Sequence, residues 1–548
     1  MKKNNFVEGT VIATAIIVIV KLLGMLYVIP FYKIVGTKGG ALYSYAYNIY
    51  LIFLGISSAG LPDAVAKIIS EYNALGYEDA KQRAYKIGRN LISIIAITSF
   101  LVLFIFAEEI GMFIIKDLKG GNTAQDVAFV IRCLSPSVLL VPFLSITKGY
   151  LQGHKFISAS SLSQLYEQVI RIFIILVGSY LVLKVFNGSL SLAVGVAVSG
   201  AFFGGLVAYL YLKHVMKKNN LIHEVDEEDK ITNREIVKKI ITYAIPFVII
   251  SIFVNIYNET DQILVLRTLG DILKFPTEEV ETIASSISTW SPKICMVINA
   301  MAMGMTMSLV PTIVSAFARR DYKDVESKIN KSLSMIIFIS LPMSIGLSIL
   351  SRPVWTMFYG ASDIGSTILK LTAFSALFGN LYMIVSAICQ SLNKYKAVYM
   401  VSGIGFLLNA ALDVPIMLLY NWIGIPTYLG SITASIIGYS TSTIIGLILL
   451  RQDGKYSYKQ AVINGFKTLV PAISMLVVLL VMNHFITLNE SIRPTALIKI
   501  VIDTVVGGII YVTVAFKTGL IEEVLGRQML ARLLKKFTFG LVKLKEVE

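Results

Sequence analysis

Apolar residues in this chain occur in long, nearly uninterrupted runs that are separated by short polar stretches. A helix needs about 20 mostly apolar residues to cross the hydrocarbon core of a bilayer. Fourteen segments meet this requirement, and we predict a transmembrane helix over each of them. They cover residues 9–32, 41–66, 87–107, 127–150, 159–183, 190–212, 238–266, 283–314, 329–350, 366–390, 397–419, 427–450, 464–486 and 497–517.

The composition agrees with a polytopic membrane protein. Of the 548 residues, 55% are hydrophobic and 15% charged, and the mean hydropathy is +0.73. Soluble proteins carry roughly 25% charged residues, so this composition excludes a soluble enzyme, a disordered chain and a secreted disulfide scaffold. The chain has no phosphate-binding GxxxxGK[ST] loop and no metal-ligand spacing. We therefore expect a transporter without a cofactor, and neither an enzyme nor a nucleic-acid-binding protein.

Lysine and arginine are concentrated in alternate loops. With the N-terminus placed inside, the inside segments carry 33 of the 49 basic residues and the outside segments carry 10. Positive residues collect on the cytoplasmic side of membrane proteins. This asymmetry predicts a plasma-membrane protein with both termini in the cytoplasm. It also accounts for the net charge of +15 without a nucleic-acid partner.

Two sequence echoes indicate an internal repeat. Residues 70–80 and 315–325 share serine, aromatic, tyrosine and aspartate positions at an offset of 245, and Gln152 and Gln390 recur at an offset of 238. Both pairs lie six spans apart. Because six is even, corresponding helices run in the same direction, which predicts two parallel six-helix halves with two further helices and a cavity between the halves.

The repeat divides the chain into five parts: a first half (1–212), a cytoplasmic linker (213–237), a second half (238–450), helices thirteen and fourteen (451–519) and a cytoplasmic tail (520–548). The tail has leucine, methionine and phenylalanine at helical spacing with basic residues between them. This pattern is typical of an amphipathic helix on an anionic membrane surface. A short anchor helix without lipid preference is the alternative.

Several charged residues lie where a bilayer makes them costly. An ionisable side chain at mid-membrane costs about 2.5 to 3.5 kcal/mol and therefore indicates a functional site. Lys21 lies in the middle of the first span, and Lys293 follows Pro292 in the eighth. Glu167 and Arg171 stand four residues apart in the fifth span, in the favourable order for an ion pair. These four are our candidate substrate-binding residues, with a purely structural ion pair as the alternative for Glu167 and Arg171.

Acidic residues form a second candidate set. Glu259 and Asp261 lie in the seventh span, and Asp413 lies near Asn409 in the eleventh. They are candidates for a coupling-ion site or for partners of buried cations. Coupling to the membrane potential, to Na⁺ or to H⁺ is compatible with these residues.

Several motifs resemble one transporter family. They are Lys21-Leu-Leu-Gly24, residues 35–43, residues 60–67, Gln152-Gly-His154, Glu167-Gln-Val-Ile-Arg171 and residues 184–188. Together with the fourteen spans, these motifs resemble the MOP exporter superfamily. Within it they are most similar to Gram-positive lipid II flippases of the MurJ type and to their relative, stage V sporulation protein B.

The resemblance implies a specific transport function. It implies the MOP exporter fold in a bacterial plasma membrane, and alternating-access flipping of lipid II or a related undecaprenyl-linked glycan to the outer leaflet. The family's cavity arginines of spans one and eight fall on Lys21 and Lys293. Its span-two arginine has no match, since Phe53 and Leu54 stand there, and Gly40 stands near the place of an early acidic residue. A flippase for another lipid-linked oligosaccharide, a drug/cation antiporter and a non-transporting sporulation scaffold are the alternatives.

Overall fold

The computed structural model of the chain is helical. It describes residue 16 and residues 19–58, 60–116, 121–154, 156–221, 231–486 and 488–525, and no strand occurs in these ranges. The predicted all-α polytopic class is therefore confirmed. Residues 1–15, the centre of the predicted linker (222–230) and most of the predicted amphipathic tail (526–548) lie outside the described residues.

The helices, in chain order, are α1 (Val28–Ser58), α2 (Leu61–Leu75), α3 (Glu78–Ile105), α4 (Ala107–Ile115), α5 (Ala124–Gly153), α6 (Ile157–Phe173), α7 (Leu190–Lys218), α8 (Asn233–Leu266), α9 (Thr277–Ser285), α10 (Ser291–Ala318), α11 (Tyr322–Ile349), α12 (Ser351–Tyr359), α13 (Asp363–Ser391), α14 (Tyr395–Trp422), α15 (Leu429–Gly454), α16 (Lys459–Phe485), α17 (Arg493–Lys517) and α18 (Leu520–Leu525). Two wider π-helical segments, Ile174–Gly178 and Leu181–Val185, follow α6. A third, Arg267–Ile272, follows α8, and a fourth, Ser286–Trp290, joins α9 to α10.

Eleven helical segments of the described chain are long and apolar enough to cross a membrane. One of them, Ile19–Gly55, spans both the first and second predicted segments. The seventh and eighth predicted segments correspond to α8 and α10, which are also long helices. Each of the fourteen predicted spans therefore has a helical counterpart.

The prediction was wrong about the first loop. Residues 33–40 were expected to be a loop between two spans, but they are helical in the structure. The helix is interrupted at Gly36, whose φ of 68° and ψ of −171° are not helical. Glycine adopts positive φ without the steric cost that a Cβ imposes. A single residue therefore makes the break for which a loop of eight residues was expected.

The chain folds into two compact units. The first contains the described part of Met1–Ile294 together with Asn409–Ser431, and the second contains Cys295–Leu408 with the described part of Ile432–Glu548. The core of the first unit includes Ile68, Tyr85 and Tyr150, each nearly inaccessible to solvent. In the second unit, the Tyr511 hydroxyl donates a hydrogen bond to the Phe338 carbonyl at 2.6 Å and ties α17 to α11. The predicted division into six-helix halves stays a prediction.

Side-chain caps fix two helix starts in the first unit. Thr123 and Asp126 form a reciprocal capping box at the start of α5, and Thr232 and Glu235 do the same at the start of α8. Each box satisfies backbone N–H groups that a helix terminus leaves without partners. These caps position the helices that contribute Lys148 and Asp261 to the site described below.

Candidate functional site

The main candidate site lies in the first unit around Lys293. This residue is 8% exposed, and its Nζ donates a hydrogen bond to the Tyr27 hydroxyl at 3.2 Å. Its Nζ also lies 4.6 Å from the Trp290 ring centroid, 4.7 Å from that of Tyr43 and 5.2 Å from that of Tyr47. Cations bind to the faces of aromatic rings within about 6 Å of the ring centre. We call Tyr27, Tyr43, Tyr47 and Trp290 the aromatic cage.

Local helix geometry brings these rings to the lysine. Tyr43, Tyr47 and Tyr50 are spaced four and three residues apart in α1, so they lie along one face of that helix. The π-helical turn Ser286–Trp290 comes directly before α10 and carries Trp290. Lys293 follows within the first turn of α10, which places it next to the tyrosine face.

A second cationic group lies on α5 and α6. Glu167 accepts hydrogen bonds from Arg171 at 2.5 Å and from Lys148 at 3.0 Å. The predicted pair of Glu167 and Arg171 is present, but Lys148, at the end of the predicted span 127–150, was not among the candidates. One carboxylate thus holds two cations, so this group carries an excess positive charge.

The tyrosines of α1 connect the two cationic groups. Arg171 interacts electrostatically with Tyr27, Tyr43, Tyr47 and Tyr50, and the first three of these also contact Lys293. The structure therefore brings two predicted cations, Lys293 and Arg171, to one tyrosine-lined region. Such a region presents positive charge and hydroxyl donors, which are the groups that bind phosphate oxygens.

Lys21 is half-buried at the start of the described chain. One turn later, Gly24 lies against the fifth span, because a Cβ at Gly24 would stand 3.3 Å from Nε2 of Gln168. This close approach places the first span beside the helix that carries Glu167 and Arg171. No contact between Lys21 and Lys293 is observed among the described residues.

A buried network of neutral polar residues links α1, α8 and the π-helical turn, and sequence reasoning missed it. Asn48 Nδ2 donates to Gln262 Oε1 at 2.8 Å, and Gln262 Nε2 donates to Ser44 Oγ at 2.8 Å. The hydroxyls of Ser44 and Thr289 are 2.6 Å apart. These side chains are uncharged, and uncharged polar residues are common in apolar spans, so the sequence did not distinguish them. Their four-residue spacing in α1 (Ser44 and Asn48) is the one sequence feature that could have indicated a polar face.

The predicted acidic residues separate into two environments. Asn409 Nδ2 donates to Asp261 Oδ1 at 2.6 Å, and Asp413, one turn beyond Asn409, interacts electrostatically with Asp261. The Asp413 carboxylate is buried, and the Ser431 hydroxyl interacts with it. Glu259 is 5% exposed, and its carboxylate has no hydrogen-bond partner among the described residues, so it forms no ion pair with a cation there.

Asp261, Asn409 and Asp413 supply oxygen atoms of the kind that bind small hard cations. In the described ranges, no group of three or more His, Cys, Asp or Glu side chains is arranged to hold a metal ion. A cation at this position would therefore rely on two carboxylates together with amide and hydroxyl oxygens.

Glu281 is a buried acidic residue that was not among the candidates from the sequence. It lies between the seventh and eighth predicted spans, in a segment that the predicted orientation places outside the membrane. Glu281 in α9 is 2% exposed, and it accepts hydrogen bonds from the backbone N–H of Asn122 at 3.0 Å and from Asn122 Nδ2 at 3.1 Å. Asn122 Nδ2 also donates to the Lys38 carbonyl at 3.1 Å. Burial raises the pKa of Glu281 to about 7, although the hydrogen bonds from Asn122 act in the opposite direction.

Comparison with known proteins gives consistent results along the chain. Residues 6–317 match the family described as "Polysaccharide biosynthesis protein", and residues 246–414 match the family "MatE". The chain is 31% identical to the lipid II flippase MurJ of Bacillus subtilis (strain 168) over 546 residues, which cover 96% of this chain and 98% of that protein. It is 20% identical to stage V sporulation protein B of the same organism, over 75% of this chain and 78% of the relative.

A solved structure shares the fold. The structure described as "Lipid II flippase MurJ, inward closed conformation" superposes with a TM-score of 0.67 at 17% identity, over 94% of this chain and 100% of the other. At this identity the likeness establishes the architecture. It places the helices described above in a fold found among MOP transporters.

Proposed function

The chain belongs to the polysaccharide biosynthesis protein family, and we propose that within this family it is a flippase that moves lipid II from the inner to the outer leaflet of the plasma membrane. The extent of the similarity to the Bacillus subtilis lipid II flippase, at 31% identity over 98% of that protein, supports this substrate. Lipid II combines an apolar undecaprenyl tail, a diphosphate and a polar glycopeptide head. The site must therefore bind an anion inside a membrane protein.

The observation that carries the proposal is a buried ammonium group without an acidic partner. Lys293 is 8% exposed, and no carboxylate lies within ion-pairing distance of it in the described part of the chain. Burying a charge is costly unless an opposite charge compensates it. A diphosphate supplies that charge at Lys293, while Arg171 and Lys148 offer a second cationic group along the same tyrosine face.

We propose that Lys21, Lys293 and Arg171 bind the diphosphate, with Glu167 holding Arg171 in place. In the predicted orientation both termini face the cytoplasm. The empty cavity then carries positive charge, and an inside-negative potential favours its return to the inner face. Each elementary charge that crosses 100 mV contributes about 2.3 kcal/mol to this step.

We further propose that a monovalent cation, Na⁺ or H⁺, couples at Asp261, Asn409 and Asp413. The support is the fully buried Asp413 carboxylate, which lies close enough to the Asp261 carboxylate to interact with it electrostatically. Two carboxylates in one apolar region repel each other unless a cation or proton separates them. Measurement of ²²Na⁺ binding to purified protein tests this, and we expect it to be lost in Asp413→Asn.

A drug/cation antiporter is the second candidate function. The MatE match over residues 246–414 contains Glu259, Asp261 and Asp413, which are the acidic residues that a cationic substrate would require. Lys293 and Arg171 would repel such a substrate, and this favours the flippase.

Complementation tests the proposed function. The native lipid II flippase is depleted from a Bacillus strain, the chain is expressed, and lipid II exposed on the outer face is measured. We expect restored exposure, and loss of it in Lys293→Ala and Lys21→Ala at unchanged protein levels. Lys370→Ala is the matched control, because Lys370 is an exposed lysine in another span. Normal exposure in both site variants would refute the assignment of these lysines, and cation efflux without lipid II exposure would favour the antiporter.

A further inference from the structure

The rings of the aromatic cage around Lys293 pack against one another. The Tyr43 ring stacks on Tyr47, with centroids 5.4 Å apart and planes inclined by 19°, and on Trp290 at 5.9 Å and 30°. The Phe31 ring packs edge-on against Tyr43 at 5.2 Å. Each ring therefore limits the rotation of its neighbour, and Lys293 lies against a closely packed set of rings.

Gly40 makes room for this enclosure. A Cβ at Gly40 would lie 2.8 Å from Cε2 of Tyr32 and 3.3 Å from Cζ2 of Trp290. Tyr32 in turn packs edge-on against the Trp290 ring at 5.3 Å. A larger side chain at position 40 would need the space that is filled by Trp290 of the aromatic cage and by Tyr32, which packs against Trp290.

Aromatic faces stabilise an ammonium ion differently from a carboxylate. A ring attracts the cation through its quadrupole and carries no net charge. A carboxylate beside Lys293 would form a charge-assisted hydrogen bond, and an incoming anion would have to displace it. A phosphate oxygen outcompetes a ring face easily, since ion pairs are the stronger interaction. Rings can therefore hold the ammonium charged in the empty site and still release it to an anion.

We propose that the aromatic cage serves as the counter-ion of Lys293 in the empty carrier and transfers the ammonium to the diphosphate of a lipid substrate. This inference rests on the proposed function and adds to it a set of positioning residues and a preference for lysine over arginine. The guanidinium of arginine also binds to aromatic faces, but it is longer and donates in a fixed planar fork, so we expect it to match the four rings and the Tyr27 hydroxyl less well than the compact ammonium does.

The tyrosine hydroxyls extend the same mechanism. The Tyr27 hydroxyl accepts a hydrogen bond from Lys293, and it stands 3.3 Å from the Tyr43 hydroxyl. A phenol has one donor and can accept as well. When the ammonium moves to the diphosphate, the hydrogen bond from Lys293 to the Tyr27 hydroxyl breaks. Its own O–H stays able to donate to a phosphate oxygen, which makes the hydroxyl and the ammonium two adjacent donors.

Ligand binding to purified protein in nanodiscs tests the cage. Farnesyl diphosphate is the probe, farnesol is the uncharged control, and intrinsic tryptophan fluorescence is the readout. We expect farnesyl diphosphate to change the emission as the ammonium leaves the Trp290 ring. The change should be absent with farnesol and absent in Trp290→Phe.

Three variants separate a cage from a simple charge. Tyr43→Leu should weaken binding about tenfold, which is about 1.4 kcal/mol. Tyr43→Phe, which keeps the ring, should bind more tightly than Tyr43→Leu. Lys293→Arg should bind less tightly although it keeps the charge. If Tyr43→Leu and Lys293→Arg both bind farnesyl diphosphate as the wild type does, the cage proposal is wrong. If Tyr43→Leu does not fold, Lys293→Arg decides the result: wild-type binding of farnesyl diphosphate by this variant would overturn the cage.

The complementation assay distinguishes this failure from failure of the proposed function. Wild-type binding in the cage variants, together with restored lipid II exposure by the wild type, would overturn the cage and leave the flippase intact. The expected cage effects on farnesyl diphosphate binding without any restored lipid II exposure would support the cage and refute lipid II as the substrate.

Discussion

Replacement of Glu281 by glutamine should remove a pH dependence from the stability of the first unit. The Glu281 carboxylate is buried against Asn122. It also lies close to Gly121, where an added Cβ would stand 2.6 Å from Glu281 Oε2. Lys38 lies close enough to favour the ionised form, and Tyr45 also interacts with the carboxyl. These contacts hold the segment before α5 against α9. Burial is the dominant effect, and it raises the pKa of Glu281 from 4.5 to about 7.

The size of the effect follows from this pKa difference. Each tenfold change in proton affinity is worth about 1.4 kcal/mol, so a rise in pKa from 4.5 to about 7 corresponds to roughly 3 kcal/mol. The folded state binds the proton more tightly than the unfolded state. This stabilisation is therefore fully present below pH 4.5 and is lost as the pH rises through 7. Between pH 5 and pH 8, the wild type should lose roughly 2 to 3 kcal/mol of its free energy of unfolding through this one group.

The assay is unfolding of the purified protein in nanodiscs from pH 5 to pH 8, for the wild type and for Glu281→Gln. The amide imitates the protonated acid, so the difference between the two proteins isolates the contribution of this carboxyl. Glu278→Gln is the matched control, because Glu278 is exposed in the same helix. Parallel pH profiles for the wild type and Glu281→Gln would refute the reasoning.

Two further predictions concern helix packing in the same unit. Glu167→Gln removes the carboxylate that Lys148 and Arg171 share, and it should lower the free energy of unfolding by about 2 to 4 kcal/mol. The double variant Glu167→Gln/Lys148→Gln should recover part of this loss. Unfolding measurements check this, and equal stability of Glu167→Gln and the wild type would contradict it. Gly149→Ala places a Cβ 2.3 Å from the Pro62 carbonyl oxygen and should cost about 1 to 3 kcal/mol. Gly346→Ala is the control and should not destabilise the protein, because no atom lies within 4 Å of the added Cβ. Similar unfolding midpoints for the two alanine variants would contradict the prediction and show that α5 can move away from Pro62.

The sequence was sufficient for the helical type and the approximate positions of the long apolar segments. A backbone in hydrocarbon must satisfy its own hydrogen bonds, so each long apolar run has one available structure. Hydropathy alone therefore located fourteen segments. The pair of Glu167 and Arg171 was also predictable, since residues four apart meet on one helix whatever surrounds it.

The site itself could be predicted only in part. Lys293 and Arg171 were recognisable because charges are rare in apolar spans. The aromatic cage was not, because Tyr27 and Lys293 are separated by 266 positions and tyrosines are common throughout the chain. Lys148 was missed for a related reason, as its position near a span end was compatible with solvent exposure.

Local patterns report what each helix does alone, through hydrogen bonds and side-chain spacing within about one turn. Which faces meet depends on packing between helices distant in the chain, such as the contact that Gly40 permits beside Trp290. A cation between aromatic rings exists only after that packing has formed. Hydrophobic periodicity therefore determined the helices of this protein, and close packing between them decided which charges lie together and what surrounds them.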